Sequence, residues 1–80
     1  MQNNLILIVE DNIALLKNIA ELLKPYCSVI TATNGKDAIC KIKKNAPDLI
    51  ISDMVMPVMG GKAFFDFCRG DENLKNVPFL

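Results

Sequence analysis

The stretch Leu5-Ile6-Leu7-Ile8-Val9 decides the fold, because it is a continuous aliphatic run without the alternation of a half-exposed strand. Such a run is typical of a strand in a parallel sheet that helices cover on both faces. Two carboxylates, Glu10 and Asp11, follow it directly. The sequence therefore predicts a central strand that ends in an acidic pair.

The residues after this acidic pair change to a helical period. Four apolar residues fall at i, i+3, i+4 and i+7, namely Leu16, Ile19, Ala20 and Leu23. Pro25 then stops the pattern. An amphipathic helix is predicted here, with Asp11 or Asn12 available as its cap.

The strand and helix patterns then alternate. A β-branched run over 28–32 predicts a second strand, and Asn34, with Asp37 three residues later, predicts the capped start of a second helix. The expected buried stripe of that helix is Ala38, Ile39 and Ile42. Pro47 ends it, and residues 48–52 predict a third strand with an apolar centre.

The remaining residues predict a third helix and the beginning of a fourth strand. Turn residues within 54–61, including Pro57 and Gly60-Gly61, lead into a helix with Phe64, Phe67 and Cys68 on its buried side. Gly70 is expected as the residue just after that helix, and residues 76–80 as the first part of a strand. The order β-α-β-α-β-α-β predicts an α/β fold, a doubly wound parallel sheet with right-handed crossovers and helices on both faces.

Composition narrows the classes of function. The chain has 80 residues, enough for one domain, and its nine basic and nine acidic residues cancel, so no bulk positive field favours nucleic acid. No apolar run approaches the length of about 18 residues that spans a membrane. Without histidine, a Ser-His-Asp triad and a His-ligated zinc site are excluded. Three dispersed cysteines fit a soluble protein of the reducing cytoplasm.

Three carboxylates could form a reactive site. Glu10 and Asp11 follow the first strand and Asp53 follows the third, so neighbouring strands would bring all three to the carboxyl edge of the sheet. Oxygen ligands favour a hard cation, preferably Mg²⁺, and Asp53 could then attack a phosphoryl group to give an acyl phosphate. Taken singly, each residue also has a simpler interpretation as a helix cap, a turn residue or a solvated charge.

The acidic pair and the string Asp53-Met54-Val55-Met56-Pro57-Val58-Met59-Gly60-Gly61 together resemble bacterial response-regulator receiver domains of two-component phosphorelays. The resemblance covers the whole chain and implies a flavodoxin-like sheet of strand order 2-1-3-4. It implies that Asp53 is the phosphoacceptor and that Mg²⁺ is held by Glu10, Asp11, Asp53 and the backbone carbonyl of Val55. Gly60 departs from the Asp, Asn or Ser that is usual in similar domains.

The resemblance also implies what is absent from residues 1–80. Similar domains continue with a hydroxyl residue at the tip of the fourth strand, a fifth strand that ends in lysine, and two further helices. The segment is therefore expected to be a receiver domain that is incomplete at its C-terminus. It would need the rest of a longer chain, a partner or an oligomer to cover Leu16, Ile19 and Leu23, which a final helix covers in similar domains.

More than one function is compatible with these sequence features. The leading hypothesis is a phosphoacceptor module, not a turnover enzyme, charged by a sensor histidine kinase or phosphotransfer protein and coupled to an output domain or a homodimer partner. The alternative is a receiver-like interaction module that is not phosphorylated. A haloacid-dehalogenase-type phosphatase is disfavoured because Ile13 and Val55 stand where its D-x-D pattern needs a second aspartate. A dinucleotide site is disfavoured because no glycine-rich loop follows the first strand.

Overall fold

The computed structural model describes residues 4–52 and 61–80, which form strands and helices in alternation. In chain order these are β1 (Leu5–Val9), α1 (Ile13–Leu23), β2 (Ser28–Ala32), α2 (Gly35–Ile42), β3 (Leu49–Ser52) and α3 (Gly61–Gly70). The predicted order is confirmed for these six elements.

The strands of the described residues form one parallel sheet in the order β2-β1-β3. Val9, the last residue of β1, is the register partner of Ala32 in β2 and of Ser52 in β3. The last residues of all three strands therefore lie side by side at the carboxyl edge. The central position predicted for β1 is confirmed.

The residues predicted as a fourth strand form an isolated bridge beside β3 and not a full strand. Phe79 forms a parallel bridge with Ile50. The Ile50 amide donates to the Pro78 carbonyl at 2.9 Å, and the Leu80 amide donates to the Ile50 carbonyl at 2.8 Å. The chain next to β3 thus agrees with the expected order 2-1-3-4.

The sheet has an apolar core on each face because successive residues of β1 point in opposite directions. On one face Leu7 and Val9 pack with α2, α3 and the following turn. That core comprises Leu7, Val9, Ala32, Ala38, Ile42, Ile50, Phe64, Cys68 and Leu74. On the other face Ile8 packs against Leu16 and Ala20 of α1. Helices on both faces make the sheet doubly wound, as predicted.

The α1 face is the less covered of the two. Leu16 is buried, whereas Ile19 and Leu23, which were expected to lack a covering helix, are half-buried. Leu22 on the same helix is 72% exposed. None of the helices within the described ranges is long and apolar enough to cross a membrane.

Two predictions for α3 are wrong. Phe67 is not part of the buried side, because Phe64 and Cys68, one helical turn apart, occupy it and leave Phe67 36% exposed. Gly70 does not follow the helix in a left-handed conformation, since it is the last helical residue and no described glycine has a positive φ. Asp71 continues the chain into a turn by accepting from the Leu74 and Lys75 amides at 3.0 and 2.8 Å.

Candidate functional site

The acidic pair lies at the carboxyl edge, where β1 ends. The Glu10 amide donates to the Ala32 carbonyl at 3.0 Å, which extends the β1–β2 pairing by one residue. Glu10 is half-buried, whereas Asp11 is exposed to solvent. The strand thus fixes the backbone of the first carboxylate and presents the second to water.

Asn12, and not Asp11, caps α1. Its side-chain oxygen accepts from the Leu15 amide at 3.1 Å, and its carbonyl accepts from the Leu16 amide at 2.9 Å. The Asn12 amide in turn donates to Oε2 of Glu10 at 3.1 Å. The capping role that the sequence left open between two residues is therefore taken by Asn12, and the Asp11 carboxylate is not used for it.

The other predicted site residues, Asp53 and Val55, lie outside the described residues, as does most of the string that carries the family resemblance. The last described residue before them is Ser52, the register partner of Val9. Its amide donates to the Leu80 carbonyl at 3.4 Å. The structure thus brings the ends of β1 and β3 together, and Asp53 is the next residue in the sequence.

The chemistry of this edge is that of oxygen donors. Within 4–52 and 61–80, no group of three Asp, Glu, Cys or His side chains could hold a metal ion. A site that used Glu10 and Asp11 as ligands would therefore need a third ligand from outside these described residues. Two unit charges about 4 Å apart repel by about 4 kcal/mol near a protein surface, and a divalent cation relieves that repulsion.

A small cleft of about 490 Å³ lies away from this edge. It is lined by the end of α2 and the end of α3, including Ile42, Lys43, Phe67 and Asp71. Since α2 and α3 run antiparallel to the strands in right-handed crossovers, these helix ends lie near the amino ends of the strands. The cleft is therefore separate from the carboxylates.

The thiols differ strongly in environment. Cys40 is exposed, Cys27 is half-buried with its thiol 3.4 Å from the Leu23 carbonyl, and Cys68 is fully buried. Burial raises the pKa of Cys68 to about 11, although the neighbouring Arg69 opposes this shift. Because the thiolate is the reactive form, Cys68 is a packing residue and not a nucleophile at neutral pH.

We expect alkylation at pH 8 to modify Cys40 quickly and Cys68 only after unfolding, as followed by peptide mapping. The native Cys68 thiol keeps its proton to a higher pH than the unfolded one, so it contributes stability that falls as pH rises from about 9 towards 11. The Cys68→Ala variant is the control and should lack this component. Native Cys68 that reacts as fast as Cys40 would contradict the assignment.

Comparisons with known proteins agree with this architecture. The family model described as the response regulator receiver domain matches residues 6–79. Hybrid signal transduction histidine kinase D of Dictyostelium discoideum is 42% identical over 76 residues, which are 95% of this chain and 5% of that protein. A protein-glutamate methylesterase/protein-glutamine glutaminase of Desulfotalea psychrophila is 41% identical over 81 residues, covering 98% of this chain and 21% of that protein.

A solved structure shows the same fold. The chemotaxis response regulator CheY4 of Vibrio cholerae superposes with a TM-score of 0.92 at 33% identity, covering 98% of this chain and 66% of that one. The chain therefore spans a small part of the two sequence relatives and about two thirds of the structural one.

Proposed function

Because the chain belongs to the response regulator receiver domain family, a signalling module of two-component systems, we propose that it accepts a phosphoryl group on Asp53 in a Mg²⁺-dependent reaction. The observation that carries the proposal is the arrangement of Glu10 and Asp11 at the edge where β3 ends, one residue before Asp53. The proposed donor is the phosphohistidine of a sensor kinase or of a phosphotransfer protein.

The proposed reaction is a displacement at phosphorus. A carboxylate oxygen of Asp53 forms a bond to phosphorus while the bond from phosphorus to the donor nitrogen breaks, and the donor imidazole leaves with its electron pair. The product is an acyl phosphate on Asp53. The described contribution of the chain is to place Glu10 and Asp11 directly after β1, where their backbone position depends on the sheet and not on a long loop.

The residues that would hold the cation are Glu10, Asp11, Asp53 and the carbonyl of Val55. The described donors fit a hard ion, because both are carboxylates and Asp11 is exposed at the edge. When bound, Mg²⁺ would neutralise these carboxylates and the oxygens of the incoming phosphoryl group. The Asn12 amide orients the Glu10 carboxylate by donating a hydrogen bond to it.

We expect Asp11→Ala to weaken Mg²⁺ binding by at least about tenfold, because a direct carboxylate ligand is lost. Folding should persist, since the cap of α1 belongs to Asn12. Chemical shifts in NMR are the suitable readout, because the chain has no tryptophan. The matched control is Glu21→Ala, which removes an exposed carboxylate paired with Lys24 at 3.2 Å. Equal affinity in both variants would refute the ligand assignment.

The function is tested by incubating the protein with Mg²⁺ and acetyl phosphate, followed by intact mass measurement. The proposal predicts one added phosphoryl group per chain, and none when the cation is chelated. An interaction module that is not phosphorylated would show no adduct under either condition, so the same experiment decides between the two functions.

The partners and setting are proposed on the same basis. Relatives include a hybrid histidine kinase and a methylesterase, of which this chain matches one segment only. We therefore propose that the receiver domain acts with a histidine kinase and an output domain or homodimer partner in the cytoplasm, without turnover of a separate substrate. Its balanced charge gives no support for direct contact with nucleic acid.

A further inference from the structure

Arg69 connects α3 to the segment that pairs with β3. Its Nη1 donates to the Lys75 carbonyl at 2.6 Å and to the Val77 carbonyl at 3.1 Å. Its guanidinium carbon lies 4.7 Å from the ring centroid of Phe65 and 5.3 Å from that of Phe79. The Arg69 side chain thus contacts a ring of its own helix and several residues of the 75–80 segment.

The segment that Arg69 contacts is attached by backbone hydrogen bonds to β3 and by Val77 and Phe79, which pack against the larger core. Within the part of the chain that the structure describes, three backbone hydrogen bonds join it to β3, and they involve the amides of Ile50, Leu80 and Ser52. The bonds of Ile50 and Leu80 are 2.9 and 2.8 Å, whereas that from Ser52 to the Leu80 carbonyl is 3.4 Å. Pro78 lacks an amide and donates nothing. The pairing therefore includes few hydrogen bonds. The longest of them is that of the Ser52 amide, and Ser52 directly precedes Asp53 in the sequence.

The contacts of Arg69 require a guanidinium. Its acceptors are two backbone carbonyls, and its plane lies near two aromatic rings that themselves meet edge to face at 4.9 Å. A lysine ammonium could keep one hydrogen bond but not the planar contact with both rings. Its position in the last turn of α3 is also favourable for a cation at the negative end of the helix.

We propose that Arg69 is a positioning residue for the phosphoacceptor. It holds residues 75–80 against β3 and thereby fixes Ser52, the residue that precedes Asp53. The inference rests on the proposed function of Asp53, but the holding of the segment by Arg69 does not depend on phosphorylation.

Whether Arg69 holds residues 75–80 against β3 is tested by amide hydrogen exchange in Arg69→Met and Arg69→Lys. In the Met variant the Ile50, Ser52 and Leu80 amides should exchange about tenfold faster, while the Glu10 and Ser28 amides, which bond across β1 and β2, serve as the internal reference and stay unchanged. The Lys variant should lie between Met and the unaltered protein. Unchanged exchange at Ile50 and Leu80 would overturn the inference.

The positioning role is tested by the rate of phosphorylation with Mg²⁺ and acetyl phosphate. Arg69→Met should lower this rate by about tenfold, with partial recovery in Arg69→Lys, because misplacement of the reacting group slows the reaction. Lys44→Met, which removes an exposed cation at the end of α2, should have no effect. Faster exchange with an unaltered rate would overturn the positioning role. If the unaltered protein forms no adduct, the proposed function is refuted. The exchange data still decide whether Arg69 holds residues 75–80 against β3.

Discussion

Asp53→Asn is expected to lower formation of the phosphoryl adduct by at least about a hundredfold, because the amide keeps the size of the side chain but lacks a nucleophilic carboxylate oxygen. Intact mass measurement after incubation with Mg²⁺ and acetyl phosphate is the readout. The three strands and both cores form from other residues, so the circular dichroism spectrum of the variant should match that of the unaltered protein.

The matched control for this substitution is Asp66→Asn. Asp66 is an exposed carboxylate of α3 that pairs with Lys62 at 3.3 Å. It should leave the amount of adduct unchanged. If the adduct still forms in Asp53→Asn and is lost in Asp66→Asn, the acceptor is a residue other than Asp53.

Phe64→Ala is expected to cost about 3–5 kcal/mol in the free energy of unfolding, because it empties a fully buried aromatic site. Phe64 packs in the larger core and lies 5.7 Å from the Phe79 ring. At about 0.05–0.15 kcal/mol per residue, a chain of this size has roughly 4–12 kcal/mol of stability in total. The substitution therefore removes a large share of it. Urea titration followed by circular dichroism measures the change.

Phe67→Ala provides the comparison on the same helix. Phe67 is 36% exposed, so the same truncation should cost about 1 kcal/mol or less. Because both changes remove a benzyl side chain from α3, their helix propensities cancel in the difference. Equal losses in the two variants would show that the core is not centred on Phe64.

The periodicity of the sequence predicted most of the fold for physical reasons that are local. A continuous aliphatic run, as in β1, is buried on both faces, and apolar spacing of three and four residues defined the buried face of α1. Asn34 could be identified as a cap because its side chain serves the Asp37 amide three residues later, here at 2.8 Å. These signals lie within single elements.

The errors and omissions concern contacts between elements. Phe64 and Phe67 are equally apolar, and only the packing of α3 against the rest of the chain buries Phe64 and leaves Phe67 36% exposed. The expectation that Gly70 follows the helix was wrong. Gly70 is the last helical residue, and the turn after it is formed by Asp71. Arg69 was not singled out, although an arginine four residues after Phe65 offered a weak sign of its contact with an aromatic ring.

The candidate site was predictable in part. Parallel pairing brings the ends of neighbouring strands to one edge, and the structure confirms this for Val9 and Ser52. It also assigns the helix cap to Asn12, which the residue types alone could not do, because aspartate and asparagine cap equally well. The roles of Asp53 and of the Val55 carbonyl, and those of Glu10 and Asp11 as metal ligands, stay predictions.

The decisive measurement is the position of the phosphoryl group in the sequence. After incubation with Mg²⁺ and acetyl phosphate, borohydride reduction would convert an aspartyl phosphate to homoserine, which tandem mass spectrometry can place in the sequence. We expect homoserine at position 53 in the presence of Mg²⁺ and aspartate there when the cation is chelated. Homoserine at any other acidic residue, or none under either condition, would contradict it.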